Sequence, residues 1–339
     1  MEKKQKLTLD EIKKQLEKDF GKGTIISAVD KEPYGDVIPS TSFSFNRASG
    51  IGGLPKGKLV EIYGDTGSYK STTAYDIIAN CQKEYDDYCL LIDMENSYST
   101  EYGSILNIDN EKLLVSNNNS GKIESLEDMY DVLEKAIESG MFGVIVVDSV
   151  TSFAPKARIE GSVVMGLEAR VNSDKMRLIN KAVNKSNTLV IMINQVRNSI
   201  GGYGSPVVTS GGKAIGFYSH MRIWNTRSEI DKDNENNVVK FNFIKNKMGV
   251  PFKIGNIVFN WKTGFDVLSE IVEIAIESNI IQRNKNTYTL PNTEEDLKLT
   301  SRKKLDDYLD ANKDVLHNVI QPLVENYLNN KVEVVTIDE

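Results

Sequence analysis

Cysteine and histidine are scarce: the 339-residue chain holds two of each, Cys81, Cys89, His220 and His317. Both histidines stand apart from other metal-ligating residue types and read as neither ligand nor catalyst. The cysteines, one in an expected helix and one at a strand edge, read as buried thiols in a reducing cytosol. No apolar run approaches the length of a membrane span. Met1-Glu2-Lys3-Lys4-Gln5-Lys6 lacks a signal peptide's apolar core. A cytoplasmic protein with no membrane partner is therefore expected. What is present is ordinary for a soluble globular chain, 40% hydrophobic and 26% charged residues, with room for two domains or one large one.

The net charge of −7 argues at first against nucleic acid, but its distribution does not. Thr151 to Gly216 carries nine Lys/Arg against three acids, whereas Phe265 to Glu339 carries fifteen acids against eight bases. A basic middle beside an acidic end suits a polyanion-binding core with a competing tail. Solvated helix faces explain the same charges equally well.

The stretch that organises the chain is Gly64-Asp65-Thr66-Gly67-Ser68-Tyr69-Lys70-Ser71. It follows an apolar run, Leu59 to Tyr63, and precedes a helical stretch beginning Thr72-Thr73-Ala74. Strand, glycine-containing loop and helix in that order is the context of a phosphate-binding loop. Backbone N–H groups and the helix N-terminus then favour an anion. Lys70 is expected on the β- and γ-phosphates and Ser71 on Mg²⁺. Tyr69 stands where the pattern wants glycine, and its Cβ is expected to crowd the approach to phosphate. Gly67 supplies freedom two residues earlier.

Around this loop the chain alternates strands and helices. Leu9, Ile12, Leu16 and Phe20 share one face of a helix that Thr8 and Glu11 cap, and Thr24-Ile25-Ile26-Ser27 reads as an isolated strand. Cys89 to Asp93 is expected as a strand with Glu95 just beyond its end. A helix is expected over about 126–139. Val144 to Asp148 then forms a strand that delivers a carboxylate to the metal. A helix over about 170–185 leads to the strand Thr188 to Gln195. The pattern implies a mostly parallel sheet covered on both faces.

Two segments break it. One, Arg158 to Leu167, contains Gly161, Met165 and Gly166. The other, Val196 to Gly212, has five glycines and no acid. Seventeen residues expected to lack secondary structure suit a loop contacting single-stranded nucleic acid, although linker entropy accounts for glycine as well. Asp231 to Asn237 lacks the glycine and bidentate glutamate of a calcium loop and reads as a hairpin turn. A small α+β domain follows Gly264.

From about residue 9 to 265 the chain resembles the bacterial RecA recombinases. The resemblance rests on Phe20-Gly21-Lys22-Gly23, Gly52-Gly53-Leu54-Pro55, Val60 to Gly64, Val144 to Ser149, Ile159-Glu160-Gly161, Met165-Gly166-Leu167, Ile193-Asn194-Gln195, Gly211-Gly212 and Lys245-Asn246-Lys247. It implies an α/β fold: a RecA-like P-loop NTPase core over residues 37–265, an N-terminal helix-strand arm over 1–36 and a small C-terminal domain with an acidic tail over 266–339. ATP and Mg²⁺ are the implied cofactors. Gly64, Asp65, Thr66, Gly67, Ser68, Tyr69, Lys70, Ser71 and Thr72 would hold the triphosphate, with Ser71 and Asp148 on the metal and Tyr102 on adenine. Glu95 matches the general base, Gln195 the γ-phosphate sensor, and Lys245 and Lys247 the lysines that reach a neighbouring subunit's ATP. Met165, Arg170, Arg177, Arg197, Ile200 and Gly212 match DNA-contacting positions, and Ile25 and Ile26 the strand that docks on the next protomer.

Lys213, where the family usually has asparagine, adds positive charge on the DNA-facing side. The segment between Gly161 and Met165 is about three residues short of the family pattern. The implied activity is ATP-dependent filament formation on single-stranded DNA, with pairing and strand exchange against homologous duplex. The alternatives at this point are a non-hydrolysing DNA-binding paralogue disabled by Tyr69, a ring motor, or a small-molecule kinase.

Overall fold

The computed structural model describes residues 8–28, 35–116, 123–162, 164–198, 207–231, 236–291 and 297–332. Two compact units emerge, Met1–Gly35 and Asp36–Glu339. In the first, helix α1 (Leu9–Phe20) starts at a reciprocal cap: Thr8 N donates to Glu11 Oε2 at 2.8 Å, and Glu11 N donates to Thr8 Oγ1 at 3.4 Å. Gly21, at φ 103°, ends the helix. None of its residues is buried. The strand expected at Thr24–Ser27 does not form; these residues are turn and coil, with Thr24 Oγ1 bonded to Gly21 O at 2.6 Å. A strand needs a second strand to pair its N–H and C=O groups, and none of the chain's described strands pairs here.

The second unit opens with a two-stranded antiparallel pair, β1 (Val37–Ile38) and β2 (Leu54–Pro55), flanking helix α2 (Phe43–Ser49). Ten strands then build one sheet: β3 (Leu59–Gly64), β4 (Tyr88–Asp93), β5 (Leu113–Val115), β6 (Phe142–Asp148), β7 (Leu189–Asn198), β8 (Val207–Thr209), β9 (Met221–Asp231), β10 (Asn236–Asn246), β11 (Ile254–Asn260) and β12 (Gly264–Phe265). Their order is β12-β11-β10-β9-β3-β7-β6-β4-β5, with β8 paired antiparallel to β7. Pairs from β9 to β5 are parallel, and β9 to β12 form an antiparallel extension.

Period-two alternation divides each central strand between two cores. Val144 and Val146 enter one core with Ala74, Ile77, Ile78 and Cys81 of α3 (Lys70–Tyr85). Ile145 and Val147 enter the other with Met129, Leu133 and Ile137 of α5 (Leu126–Ser139) and with Met176 and Ile179 of α7 (Leu167–Val183). Both faces are therefore covered, which is why the strands read as near-continuous apolar runs. Three short helices, α4 (Thr100–Ile105), α6 (Lys156–Ile159) and α8 (Ala214–Tyr218), sit in the connections. Both cysteines are buried free thiols.

The segment Val196–Gly212 is not without secondary structure. The strand β7 runs on to Asn198, and β8 returns along it with Val196 opposite Thr209 and Arg197 opposite Val208. Val207, Val208 and Thr209 are β-branched, and pairing satisfies backbone groups that a loop would leave to solvent. The expected hairpin after Asp231 is present as the antiparallel pair β9–β10.

After β12 come α9 (Val267–Glu277), the antiparallel strands β13 (Gln282–Asn284), β14 (Thr287–Thr289) and β15 (Lys298–Leu299), and α10 (Arg302–Ala311), α11 (Lys313–Val315) and α12 (Gln321–Val332). They enclose a core of their own around Ile271, Leu305, Leu309 and Ile320. Buried Glu270 ties this core to the rest of the unit. It accepts from Ser42 Oγ at 2.8 Å, Phe43 N at 3.0 Å and Ser44 N at 2.8 Å, and so caps α2 from another element. Among the described residues no helix is long and apolar enough to cross a membrane.

Candidate active site

Register places the carboxyl ends of four parallel strands side by side: Gly64 lies opposite Gln195, and Asp93 opposite Asp148. Ligands of open α/β sheets collect at such ends. A cavity of about 450 Å³ opens there, lined by Thr66 to Thr72, Glu95, Tyr102, Asp148, Ser149 and Gln195, together with Arg227 and Trp261.

The loop after β3 enters α3 with Gly67 at φ 71° and Tyr69 at φ 63°. Gly64 is required by close approach: a Cβ there would lie 2.3 Å from Asn225 O. Lys70 Nζ folds back onto Asp65 O at 2.8 Å. Burial holds its ammonium below the usual lysine range, opposed by Asp148, Glu95 and Asp65. Tyr69 adopts the left-handed conformation that glycine would take more cheaply. Its ring is buried, with its centroid 5.0 Å from that of Phe259 and 5.7 Å from that of Trp261. The tyrosine therefore supports the loop from the sheet side.

Asp148 ends β6 in the same cavity. Burial pushes its carboxyl up to about 6, against a hydrogen bond from Ser71 and the charge of Lys70, while Glu95 and Asp93 add repulsion. Four buried atoms of residues lining the cavity, Ser68 Oγ, Tyr69 OH, Tyr75 OH and Asp148 Oδ2, have no hydrogen-bond partner among the described residues. Orphaned polar atoms beside a buried lysine ammonium fit a bound polyanion and its counter-ion. Mg²⁺ takes one or two protein oxygens plus phosphates rather than a full protein cage. A site of Ser71 and Asp148 meets that need, and no cluster of three His, Cys, Asp or Glu occurs among the described residues.

Glu95 accepts from Ser149 Oγ at 2.8 Å and from Gln195 Nε2 at 3.2 Å. Tyr102 OH and Thr72 Oγ1 are 2.5 Å apart, and the Tyr102 ring faces Trp261 with centroids at 5.5 Å. The glutamate is thus held at the mouth of the loop, and an aromatic wall borders the cavity.

A family model described as the RecA N-terminal domain matches residues 7–266. Among curated proteins, Protein RecA of Campylobacter lari is 38% identical over 293 residues, covering 84% of this chain and 83% of that protein. Protein RecA of Bacillus subtilis (strain 168) is 34% identical over 327 residues, 94% of this chain and 91% of that one. Protein RecA of Chlorobaculum parvum is 39% identical over 277 residues, 79% and 78% respectively. The chain belongs to the RecA family. It is accordingly a recombination and repair protein, of a family that binds DNA and hydrolyses ATP in its presence.

Within this RecA-family chain the sequence-derived residues fall into three places. Gly64 to Thr72, Glu95, Tyr102, Asp148 and Gln195 gather at the strand ends. Met165, Arg197 and Gly212 line a second cleft of about 650 Å³, with Arg158 and Gly161. Met165 is 99% exposed there. Arg170 and Arg177 are exposed on α7 and Lys213 is exposed before α8, outside that lining. Ile200 lies outside the described residues, as do Val163, Tyr203, Glu333, Asp338 and Glu339.

Lys245 and Lys247 are not brought to the cavity. Lys245 lies opposite Arg222 and Asn246 opposite Met221, while Met221 is beside Val60 near the start of β3, away from the loop at its other end. Lys245 Nζ donates to Gly216 O and Phe217 O, both at 2.8 Å, at the end of α8. Burial, then Lys247 and Arg222, lowers it to about 8. Sequence reasoning missed Trp261 and Arg227. Trp261 follows an alternating strand, which is the only local signal; its nearness to the loop depends on sheet order. Arg227 lies against Gly67, whose added Cβ would come 3.3 Å from Nη1.

Proposed function

We propose that the chain is an ATP-dependent strand-exchange protein that assembles on single-stranded DNA and pairs it with homologous duplex. The observation that carries this is the Glu95–Gln195 hydrogen bond at 3.2 Å. It links the hydrolytic carboxylate to the strand that continues into the β7–β8 hairpin and Arg197. A nucleotide-dependent change at Glu95 therefore has a short mechanical route to the DNA cleft.

In this reading the loop N–H groups and Lys70 hold the β- and γ-phosphates. Ser71 and Asp148 would hold Mg²⁺, which when bound neutralises charge on the phosphate oxygens. Glu95 accepts the proton of the attacking water, and Ser149 orients its carboxylate. Tyr102 meets the adenine. Lys245 and Lys247 serve the ATP of an adjacent copy, since their sheet end faces away from their own loop. Met165, Arg170, Arg177, Arg197, Ile200, Gly212 and Lys213 contact DNA, with phosphate-directed charge and apolar wedges giving affinity without strong sequence preference.

Residues 1–36 dock copies end to end through Ile25 and Ile26. Both are exposed, and their backbone gains strand pairing only against a second chain's edge. Residues 37–265 form the motor and 266–339 the accessory domain of a cytoplasmic filament. The test is ATP hydrolysis with and without single-stranded DNA, beside Glu95→Gln. A DNA-stimulated rate that Glu95→Gln removes supports the proposal. DNA binding without hydrolysis overturns it.

A further inference from the structure

Tyr69 is the residue that departs from the phosphate-loop pattern, and its surroundings extend beyond the loop. Its ring is 5% exposed and belongs to a row of aromatic contacts. Phe259 stands behind it with centroids at 5.0 Å, and Trp261 stands beside it at 5.7 Å. Trp261, 49% exposed, in turn faces Tyr102 at 5.5 Å with ring planes 31° apart. Tyr102 is anchored to α3 through Thr72 Oγ1 at 2.5 Å. The row runs from the buried sheet to the cavity mouth, and both Tyr69 and Thr72 belong to the loop and its helix.

Trp261 is the least supported member. It follows the end of β11 in a turn, and it is half exposed. The rings it meets are Tyr69, Tyr102 and Phe259, the last edge-on at 5.5 Å. A large flat ring so placed loses orientation when a neighbour is removed, because nothing else in the row fills that side. Glycine at position 69 would leave its backbone conformation unstrained but would leave this space open.

We infer that Tyr69 is a positioning residue for recognition of the nucleobase. Its ring fixes Trp261, and Trp261 with Tyr102 forms the wall against which a purine ring of a nucleoside triphosphate stacks. The phosphate loop and both rings of the base wall are thereby one unit, whereas with glycine at this position Tyr102 would keep its link through Thr72 and Trp261 would lose its link to the loop. The inference rests on the nucleotide reading above and assigns this chain's departure from the loop pattern to selectivity rather than to loss of function.

The experiment compares dissociation constants of ATP and inorganic tripolyphosphate, each with Mg²⁺. The chains are wild type, Tyr69→Phe, Tyr69→Gly, Trp261→Ala and the Tyr69→Gly/Trp261→Ala double variant, studied by calorimetry and tryptophan fluorescence. Tyr69→Gly is expected to weaken ATP about tenfold, the scale of one lost aromatic contact, and tripolyphosphate by less than about twofold. Tyr69→Phe should bind both ligands as wild type does. Trp261→Ala should lose the nucleotide-induced fluorescence change, and the double variant should bind ATP no worse than Trp261→Ala alone.

Equal weakening of both ligands by Tyr69→Gly, or additive losses in the double variant, overturns the inference, for Tyr69 then shapes only the loop. A wild type that binds ATP no better than tripolyphosphate also overturns it and leaves the phosphate site standing. A wild type that binds neither overturns the nucleotide reading itself. Tyr69→Phe and Trp261→Ala keep the comparison decisive should Tyr69→Gly not fold.

Discussion

Gln195 Nε2 donates to Glu95 Oε1 at 3.2 Å, joining the end of one parallel strand to the residue just past another. Of the two, β7 lies directly beside the phosphate-loop strand β3 and continues into the β7–β8 hairpin beside Arg197, whereas β4 stands beyond β6. Replacing Gln195 by alanine leaves the carboxylate and the loop in place but cuts this link. The expected outcome is loss of DNA stimulation of ATP hydrolysis, with ATP affinity changed by less than about threefold. Glu95→Gln, by contrast, should lower turnover by about 10² to 10⁴ both with and without DNA. Steady-state rates over a DNA titration separate the two. Equal behaviour of both variants would show that Gln195 acts in the chemistry and not in the coupling.

The raised carboxyl of Asp148 gives a pH dependence with a definite sign. Its folded pKa of about 6 lies above the ordinary aspartate value of 3.8, so the folded chain holds this proton more tightly than the unfolded one. The associated stabilisation is complete below about pH 4 and is lost as pH rises through 6. Above pH 6 the chain free of nucleotide carries a buried, poorly compensated charge. Asp148→Asn should therefore stabilise it at pH 8 by about 3 kcal/mol and have little effect at pH 4. The same variant should lose the Mg²⁺ dependence of nucleotide binding. Urea melts at the two pH values and a Mg²⁺ titration check both halves.

Glu270 accepts three hydrogen bonds at the start of α2 from a helix more than two hundred residues away in sequence. Alanine there leaves the buried Ser44 N–H and the partly buried Phe43 N–H without their acceptor, while the Ser42 hydroxyl keeps Ser44 Oγ at 3.1 Å. The expected cost is about 3 kcal/mol of unfolding free energy, because unpaired buried donors lose the full hydration they gave up. Glutamine keeps one acceptor oxygen and should cost about half as much. Equilibrium urea unfolding measures the difference. A loss below about 1 kcal/mol for alanine would mean that solvent reaches these groups.

The sheet was legible where sequence periodicity alone decides structure. Val144 to Asp148 and Leu189 to Gln195 are apolar runs ending in a polar group, and only a strand covered on both faces asks for that pattern. The phosphate loop was legible because its chemistry is local. Four features were not, and each depends on residues distant in sequence. Thr24–Ser27 has strand composition but no strand beside it, so composition misled. The segment Val207–Thr209 was hidden in a glycine-rich stretch until its pairing with Val196–Asn198 supplied a second strand. Trp261 joins the site only because β11 lies where its end meets Tyr69, a fact carried by sheet order. The direction of the Tyr69 ring was unreadable for the same reason.

Lys245 and Lys247 provide the sharpest test of assembly, since a single chain keeps them away from its own cavity. If they complete the site of an adjacent copy, an active interface needs Glu95 from one chain and Lys245 from the next. Lys245→Ala and Glu95→Gln chains should each be inactive alone. Mixed in equal amounts on single-stranded DNA, about one interface in four pairs an intact Glu95 with an intact Lys245 in a head-to-tail assembly. The mixture should therefore recover about a quarter of the wild-type rate. No recovery would place both residues in one chain's site, which would require β10 to move far from its present pairing. In the absence of a neighbour Lys245 is held by the Gly216 and Phe217 carbonyls. Its transfer to phosphate would release the end of α8, the helix that follows the β7–β8 hairpin, so the same lysine would carry assembly to the hairpin as well as to the cavity.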